Sequence, residues 1–247
     1  MSEIIYKSKR FISRSIARSM LPSPDQSIIT FGFDDCPSSA ITNALPLLEA
    51  EGWRATIYVA CGLCETENHL GRHMSLSDIK DVHDRGHEIA GHTFSHVSSN
   101  DVTTENYLAE IEKNQAALSA LGLPKIRHFA YPFGHVTPEL KRALSRKFET
   151  LRGVINYNNS SQDANLLNAT RVYSGKDLKT AIKAINQAKS EPYWLHLFTH
   201  DVRENPSVYG CTPNEFQSVV AAVKATGLPV LTVDTAYRMI LKRRLTA

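Results

Sequence analysis

The sequence predicts a single α/β domain, a (β/α) barrel of seven parallel strands with an N-terminal helical extension, and three observations carry that expectation. Short β-branched and aromatic runs alternate with amphipathic stretches along most of the 247 residues, the pattern of parallel strands joined by crossover helices. The chain is long enough to bury one large core, and no linker inside its body divides it in two. The residues able to do chemistry fall directly after strands, at the end of a (β/α) barrel where active sites are built.

Residues 1–26 read as a basic amphipathic extension and residues 27–247 as the main domain. A helix from Ile4 to Met20 places Ile5, Ile12, Ile16 and Met20 near one face and Lys7, Arg10, Arg14 and Arg18 on another. Packing of that helix on its own domain is the first expectation; peripheral contact of residues 1–20 with an anionic membrane is the second.

After Pro22 and Pro24, the run Ser27 to Phe33 reads as a buried strand that delivers Asp34 and Asp35 at its tip. A helix over 38–50, a strand over 55–59, a helix over 76–85 and a strand over 87–90 follow, the last running into His92. The alternation continues with a helix over 104–121, a strand over 126–130, a helix over 138–148 and a strand over 152–155. It ends with a helix over 176–188, a strand over 193–198, a helix over 213–225 and a strand over 229–233.

Composition narrows the function. A net charge of +3 without a concentrated basic run argues against nucleic acid as a partner. Four cysteines at irregular spacing make no disulfide framework, and no apolar stretch is long enough to span a membrane. The first twenty residues lack the apolar core of a secretory signal, so the expected location is cytoplasmic, with peripheral attachment to the inner membrane face as an extension of it. Cys61-Gly62-Leu63-Cys64 has no second CxxC to complete a zinc or redox motif, and Cys36 has no motif-matched base to make it a nucleophile.

Two clusters carry chemistry. Asp34 and Asp35 are adjacent on an extended chain, so they point to opposite sides and can hold different jobs; as a bare dipeptide they serve equally well as turn or capping residues. His92 and His96, four residues apart, converge on one ion if their segment turns helically. The pairs His69/His73 and His83/His87 share the spacing but have no strand-end carboxylate next to them, which points to surface or structural roles.

Taken together, these clusters resemble the polysaccharide deacetylase family, the carbohydrate esterases with a NodB homology domain, from about Ile28 to Ala236. Thr30-Phe31-Gly32-Phe33-Asp34-Asp35 looks like the family's first motif and His92-Thr93-Phe94-Ser95-His96 like its H-[ST]-x-x-H motif. Ala130-Tyr131-Pro132-Phe133-Gly134 occupies the third, and Leu197-Phe198-Thr199-His200 corresponds to the fifth.

The resemblance implies a distorted barrel and one divalent ion held by Asp35, His92 and His96, with Asp34 as general base and His200 as general acid. Zinc is the first expectation, with cobalt, nickel or iron(II) as alternatives. It also implies a substrate wall of Tyr131, Pro132 and Phe133, with the Phe133 N–H facing the oxyanion, and Leu197 in an acyl pocket to which Trp194 is a further candidate. Two departures stand out. Ala130 replaces the arginine that orients the catalytic aspartate, so Arg152 or Arg171 is expected to reach Asp34 from another strand. No Asp-Trp motif is evident to orient His200, which leaves Asp163 and Asp177 as candidates.

The expected reaction is removal of an N-acetyl group from an amino sugar in polysaccharide or glycoconjugate biosynthesis, the sugar being nucleotide- or lipid-linked. Deformylation, ureide or cyclic-imide hydrolysis on the same metal site, and a catalytically weak carbohydrate-binding protein, are the competing readings.

Overall fold

Strand β1, Ile28–Asp34, is the centre of the molecule, paired on one edge with β2 (Thr56–Val59) and on the other with β9 (Trp194–Thr199). The computed structural model describes residues 11–156 and 161–242. Beyond β2 the sheet continues through β5 (Glu88–Gly91), β6 (His128–Ala130) and β7 (Thr150–Arg152); beyond β9 it ends in β8 (Thr170–Arg171). Every pairing in this seven-stranded sheet is parallel. A short antiparallel ladder, β3 (Glu67–Asn68) with β4 (Gly71–Arg72), stands apart from it.

The sheet curls into a distorted barrel because its two ends share one segment. On the outer edge of β7, Leu151 N–H donates to Ala164 O (2.7 Å) and Gly153 N–H to Leu167 O (3.0 Å). Three residues after Leu167 the same chain forms β8 and pairs with Leu197 and Phe198 of β9. An irregular crossing therefore stands where a symmetric barrel has a full strand.

Helices cover the outside: α1 (Leu45–Ala50, led by a π-turn over Ala40–Ala44), α2 (Leu76–Asp84), α3 (Thr104–Ala120), α4 (Pro138–Leu144), α5 (Lys176–Gln187), α6 (Pro213–Lys224) and α7 (Val233–Lys242). The starts of α2 and α6 are fixed by capping boxes, Ser75 with Asp78 and Thr212 with Glu215, which satisfy N–H groups that the first turn leaves unpaired.

Strand alternation then sorts the side chains. Ile29, Phe31 and Phe33 face outward into the main core beneath the helices, where both phenylalanines lie 5.8 Å from the Phe216 ring. Full burial of each such ring contributes about 1.5–3 kcal/mol. Ile28, Tyr58, Ala90, Ala130 and Trp194 form a second cluster, on the inner face. That interior also carries Asp34, His128, Arg152 and His196, all nearly fully buried.

Three expectations are corrected. The extension is not one helix to Met20: helical backbone ends at Ser13, Ala17 turns left-handed at φ 44°, and Ser19 N–H is tied to Asp163 Oδ1 at 2.8 Å. Ile12 and Met20 are exposed, so they do not form the apolar face expected to pack on the domain; Ile5, Lys7 and Arg10 lie outside the described residues. The strand expected at 229–233 is a single bridge from Ile29 to Val230, because β2 takes that edge of β1 from Gly32 onward, and Val233 already begins α7. The seventh strand is β8, too short to show a period in sequence.

Candidate functional site

β1 ends in a sharp break: Asp35 and Cys36 are left-handed, at φ 63° and 55°. Thr93, His96 and Phe133 share that conformation, so five of the seven such non-glycine residues among those described crowd one rim of the barrel. Each costs on the order of 1–3 kcal/mol, strain that concentrates at functional sites.

The result is a convergence of side chains that sequence spacing alone does not give. His92 leaves the tip of β5 and His96 follows, not through a helical turn but through the left-handed residues Thr93 and His96, which bring the two rings within 4.9 Å. Asp35 Oδ1 lies 3.3 Å from His92 Nε2 and 3.2 Å from His96 Nε2. These three ligand atoms lie within 4.8 Å of one another, and Asp35 Oδ1 is buried without a hydrogen-bond partner. His92 Nδ1 lies 2.8 Å from the Ala130 carbonyl; an oxygen there accepts only from a protonated nitrogen, so Nε2 is the nitrogen left with a lone pair facing Asp35.

Electrostatics follow from this packing. Burial alone raises the Asp35 pKa, but the His92 contact and the charges of His96, His92 and His200 overcome it and hold the carboxyl below its ordinary range. Burial pushes His96 down to about 4, so its imidazole is neutral at physiological pH. His92 rises against burial through its contact with Asp35 and the charge of Asp34.

Asp34 points into the barrel. Both its oxygens accept from Arg152 Nη2, at 2.5 and 2.6 Å, and the guanidinium lies between the rings of Tyr58 (4.6 Å) and Phe198 (4.5 Å). Arg152 is the register partner of Ala130 on the neighbouring strand. The arginine missing at Ala130 is thus supplied one strand over, and the small side chain at 130 leaves the interior open for it. Arg171 lines the same cleft without reaching Asp34.

His200 follows β9, its Nε2 3.9 Å from Asp35 Oδ2. Its Nδ1 lies 3.2 Å from the Tyr209 carbonyl, so a backbone group, and neither Asp163 nor Asp177, orients the ring. Asp163 instead binds Lys141, at 2.6 Å, and Asp177 stands in the cleft wall. The cleft is about 720 Å³ and takes in Asp34, Asp35, His92, His96 and His200. Tyr131 and Phe133 line it; Pro132 opens the turn that Gly134 closes, where φ is 65° and a Cβ would meet Val154 at 2.2 Å.

Leu197 is the clearest correction, since it faces the outer core with Phe31 and Phe33 and not the cleft. Phe198, one residue on, takes the inner position, and the period-two relation to His200 is the signal that identifies it. Trp194 is also away from the cleft, donating to Thr30 Oγ1 at 2.8 Å. Tyr173 and Tyr209, cleft residues that carry no motif, had no sequence signal.

Comparisons with known proteins bear on the fold and the family. The family profile described as polysaccharide deacetylase matches residues 22–149. No curated protein gives a significant match. Among solved structures, the chain is similar to a chitin deacetylase from Colletotrichum lindemuthianum, at 15% identity and a TM-score of 0.64 over 86% of this chain and 88% of that one. It is also similar to a family 4 acetyl xylan esterase from Clostridium thermocellum, in complex with a cobalt ion, at 18% identity and a TM-score of 0.61 over 86% and 91%. A peptidoglycan deacetylase from Bacillus subtilis, a mutant, matches at 15% identity and 0.60 over 90% and 94%. At these identities the structural likeness establishes the shared barrel, while the profile, spanning more than half of the sequence, establishes descent: the chain belongs to the polysaccharide deacetylase family.

Proposed function

We propose that this protein is a metal-dependent hydrolase that removes the N-acetyl group from an amino sugar. The observation that carries the reading is the pairing of two unlike aspartates: Asp35 beside two imidazoles, and Asp34 gripped by Arg152 a residue away. Asp35, His92 and His96 fit a divalent ion, because their donors converge, Asp35 Oδ1 is unpaired, and His92 Nε2 carries its lone pair inward. Zinc suits two imidazoles and one carboxylate, and cobalt, nickel or iron(II) can substitute. Such an ion polarises the acyl carbonyl and lowers the pKa of water.

The protein's own groups do the rest. Arg152 holds Asp34 aimed into the cleft, where the carboxylate takes the proton of the attacking water. His200, fixed by the Tyr209 carbonyl, protonates the leaving amine. The Phe133 N–H faces the developing oxyanion, and Phe198 and Tyr173 supply apolar contact for the acetyl methyl. A cleft of this size suits a small saccharide head carried on a nucleotide or lipid, in the cytoplasm or at the inner membrane face.

The test is metal content together with acetate release from free, nucleotide-linked and oligomeric N-acetylamino sugars. Acetate released by the wild type and lost in His92→Ala and Asp34→Asn, with metal lost only from the histidine variant, is the expected result. Bound metal with no acetate from any sugar overturns the N-acetyl reading and directs the search to formyl, ureide or imide substrates.

A further inference from the structure

Asp201, directly after His200, takes no part in the chemistry above, yet it is fully buried and holds one wall of the cleft together. Its carboxylate accepts three hydrogen bonds: from Ser207 Oγ at 2.6 Å on Oδ1, and from Ser207 N–H at 2.8 Å and Arg203 Nε at 2.9 Å on Oδ2. The loop that carries these donors closes on itself, where Cys211 N–H donates to Asp201 O (3.1 Å) and Arg203 N–H to Cys211 O (3.1 Å). Gly210 crosses directly over the carboxylate, so closely that a Cβ there would stand 2.4 Å from Asp201 Oδ1 and 2.3 Å from its carbonyl oxygen. A buried carboxylate is costly unless it is paired and hydrogen-bonded, and here all three donors come from the loop 201–211.

Two arms lead from that carboxylate to the cleft. On the first, Ser207 Oγ, fixed by Asp201, accepts from Tyr209 N–H at 3.1 Å, and Gly210 N–H donates to Ser207 O at 3.2 Å. These bonds set the Tyr209 carbonyl, which lies 3.2 Å from His200 Nδ1 and also accepts from His200 N–H at 3.2 Å. A carbonyl accepts only from a protonated nitrogen, so Nδ1 carries the hydrogen. Nε2, 3.9 Å from Asp35 Oδ2, then has the lone pair that takes up a proton and delivers it to the leaving amine. On the second arm, Arg203 Nη2 donates to His69 O at 2.8 Å and ties in the β3–β4 hairpin, whose His69 ring meets Tyr209 edge-on at 5.8 Å.

We propose that Asp201 is the positioning residue of His200, acting through Ser207 and the Tyr209 carbonyl instead of touching the imidazole. This role rests on His200 being the general acid, and it explains what keeps that ring in one tautomer. A carboxylate on Nδ1 fixes a catalytic imidazole by itself. A backbone carbonyl does so only while its own segment is held, because a loop free to turn lets Nδ1 face water and the hydrogen settle on Nε2. Asp201 supplies the hold from the buried side of the loop. Through Arg203 the same carboxylate keeps His69 beside Tyr209, so one group sets both the general acid and the cleft wall next to it.

The ring-nitrogen NMR shifts of neutral His200, identified by their loss in His200→Gln and recorded on the full chain in the presence of zinc, test this without any substrate. Wild type and Ser207→Thr, which keeps the hydroxyl, are expected to show Nδ1 protonated and Nε2 bare. Ser207→Ala and Asp201→Asn are expected to show a mixture of tautomers. On an N-acetylamino sugar, kcat falls in Ser207→Ala by about ten- to a hundredfold, a share of the roughly 10²–10⁴ that a positioned proton donor contributes. On 4-nitrophenyl acetate, whose leaving group departs without a proton, it falls by less than about twofold. A merely loosened fold would slow both substrates alike. An unchanged tautomer in Ser207→Ala and Asp201→Asn, or equal losses on the two substrates, overturns the proposal. A wild type that cleaves 4-nitrophenyl acetate but no N-acetylamino sugar overturns the N-acetyl reading instead, and the NMR comparison still decides the role of Asp201.

Discussion

Two groups of histidine and carboxylate side chains occupy opposite ends of this barrel, and proximity does not tell them apart. Asp35, His92 and His96 stand at the C-terminal rim; His128, Glu149 and Asp234 stand at the N-terminal floor; in each group the donor atoms lie within 4.8 Å. Their accounting differs. At the floor, His128 has Thr150 Oγ1 at 2.8 Å from one nitrogen and Asp234 Oδ1 at 3.2 Å from the other. Arg127 supplies the cation, 3.0 Å from Asp234 and donating from Nε to Glu149 at 2.8 Å. Only Glu149 Oε2 is left bare. At the rim no arginine reaches Asp35 among the described residues, and its Oδ1, without a hydrogen-bond partner, faces the His92 lone pair across 3.3 Å. Unsatisfied lone pairs, not closeness, mark the site that expects an ion.

The largest effect expected from this contrast comes from Asp35→Ala, which empties the rim and takes hydrolysis to background. Asp234→Asn at the floor keeps both metal and turnover and loses on the order of 1–3 kcal/mol of stability. Metal content and rate, measured on both variants, check it. Metal lost from Asp234→Asn breaks the comparison.

The gathering of Asp35, His92 and His96 at the rim was legible in sequence because these residues are tied to strand ends, and a strand end can be read from Phe31-Gly32-Phe33 or from Glu88 to Gly91. What was not legible depends on the third dimension. Arg152 reaches Asp34 because it sits opposite Ala130 on the next strand, a register that only parallel pairing reveals. Tyr209 holds His200 through a carbonyl, and backbone groups leave no residue signature. Leu197 was misplaced for a different reason: alternation from His200 already assigns the inner position to Phe198, and a motif boundary outweighed it. β8, two residues long, has no period to detect.

Asp34 and Arg152 sharpen the contrast within the rim itself. Asp34→Asn is expected to lower kcat by about 10²–10⁴, the contribution of a positioned general base, while the metal stays bound. Arg152→Ala leaves a buried carboxylate unpaired and costs about 3–5 kcal/mol of stability. Arg152→Lys keeps the charge but loses the planar fork, so folding is retained and kcat falls less than in Asp34→Asn. Denaturant midpoints beside kcat separate the two roles. An Arg152→Lys enzyme slower than Asp34→Asn contradicts the assignment of Arg152 as a positioning residue.

The smallest effect lies between the two ends. His196 is 3% exposed, packs on the Trp194 ring at 4.2 Å, and has an Nε2 without a partner. Burial first, then the charges of Arg152 above and His128 below, hold its pKa well under the ordinary value. The unfolded chain takes up a proton near 6.5 and the folded chain does not, so protonation favours the unfolded state. The stability contribution of neutral His196 is therefore present above that pH and is lost as pH falls below it, by at most about 1.4 kcal/mol per pH unit. His96, also depressed, adds to the same slope, so the informative quantity is the difference between the wild type and His196→Gln. The wild-type Tm should fall more steeply than that of the variant between pH 7 and pH 5. Parallel curves would mean that His196 is already protonated in the folded barrel, and that the interior between rim and floor carries a charge this account leaves out.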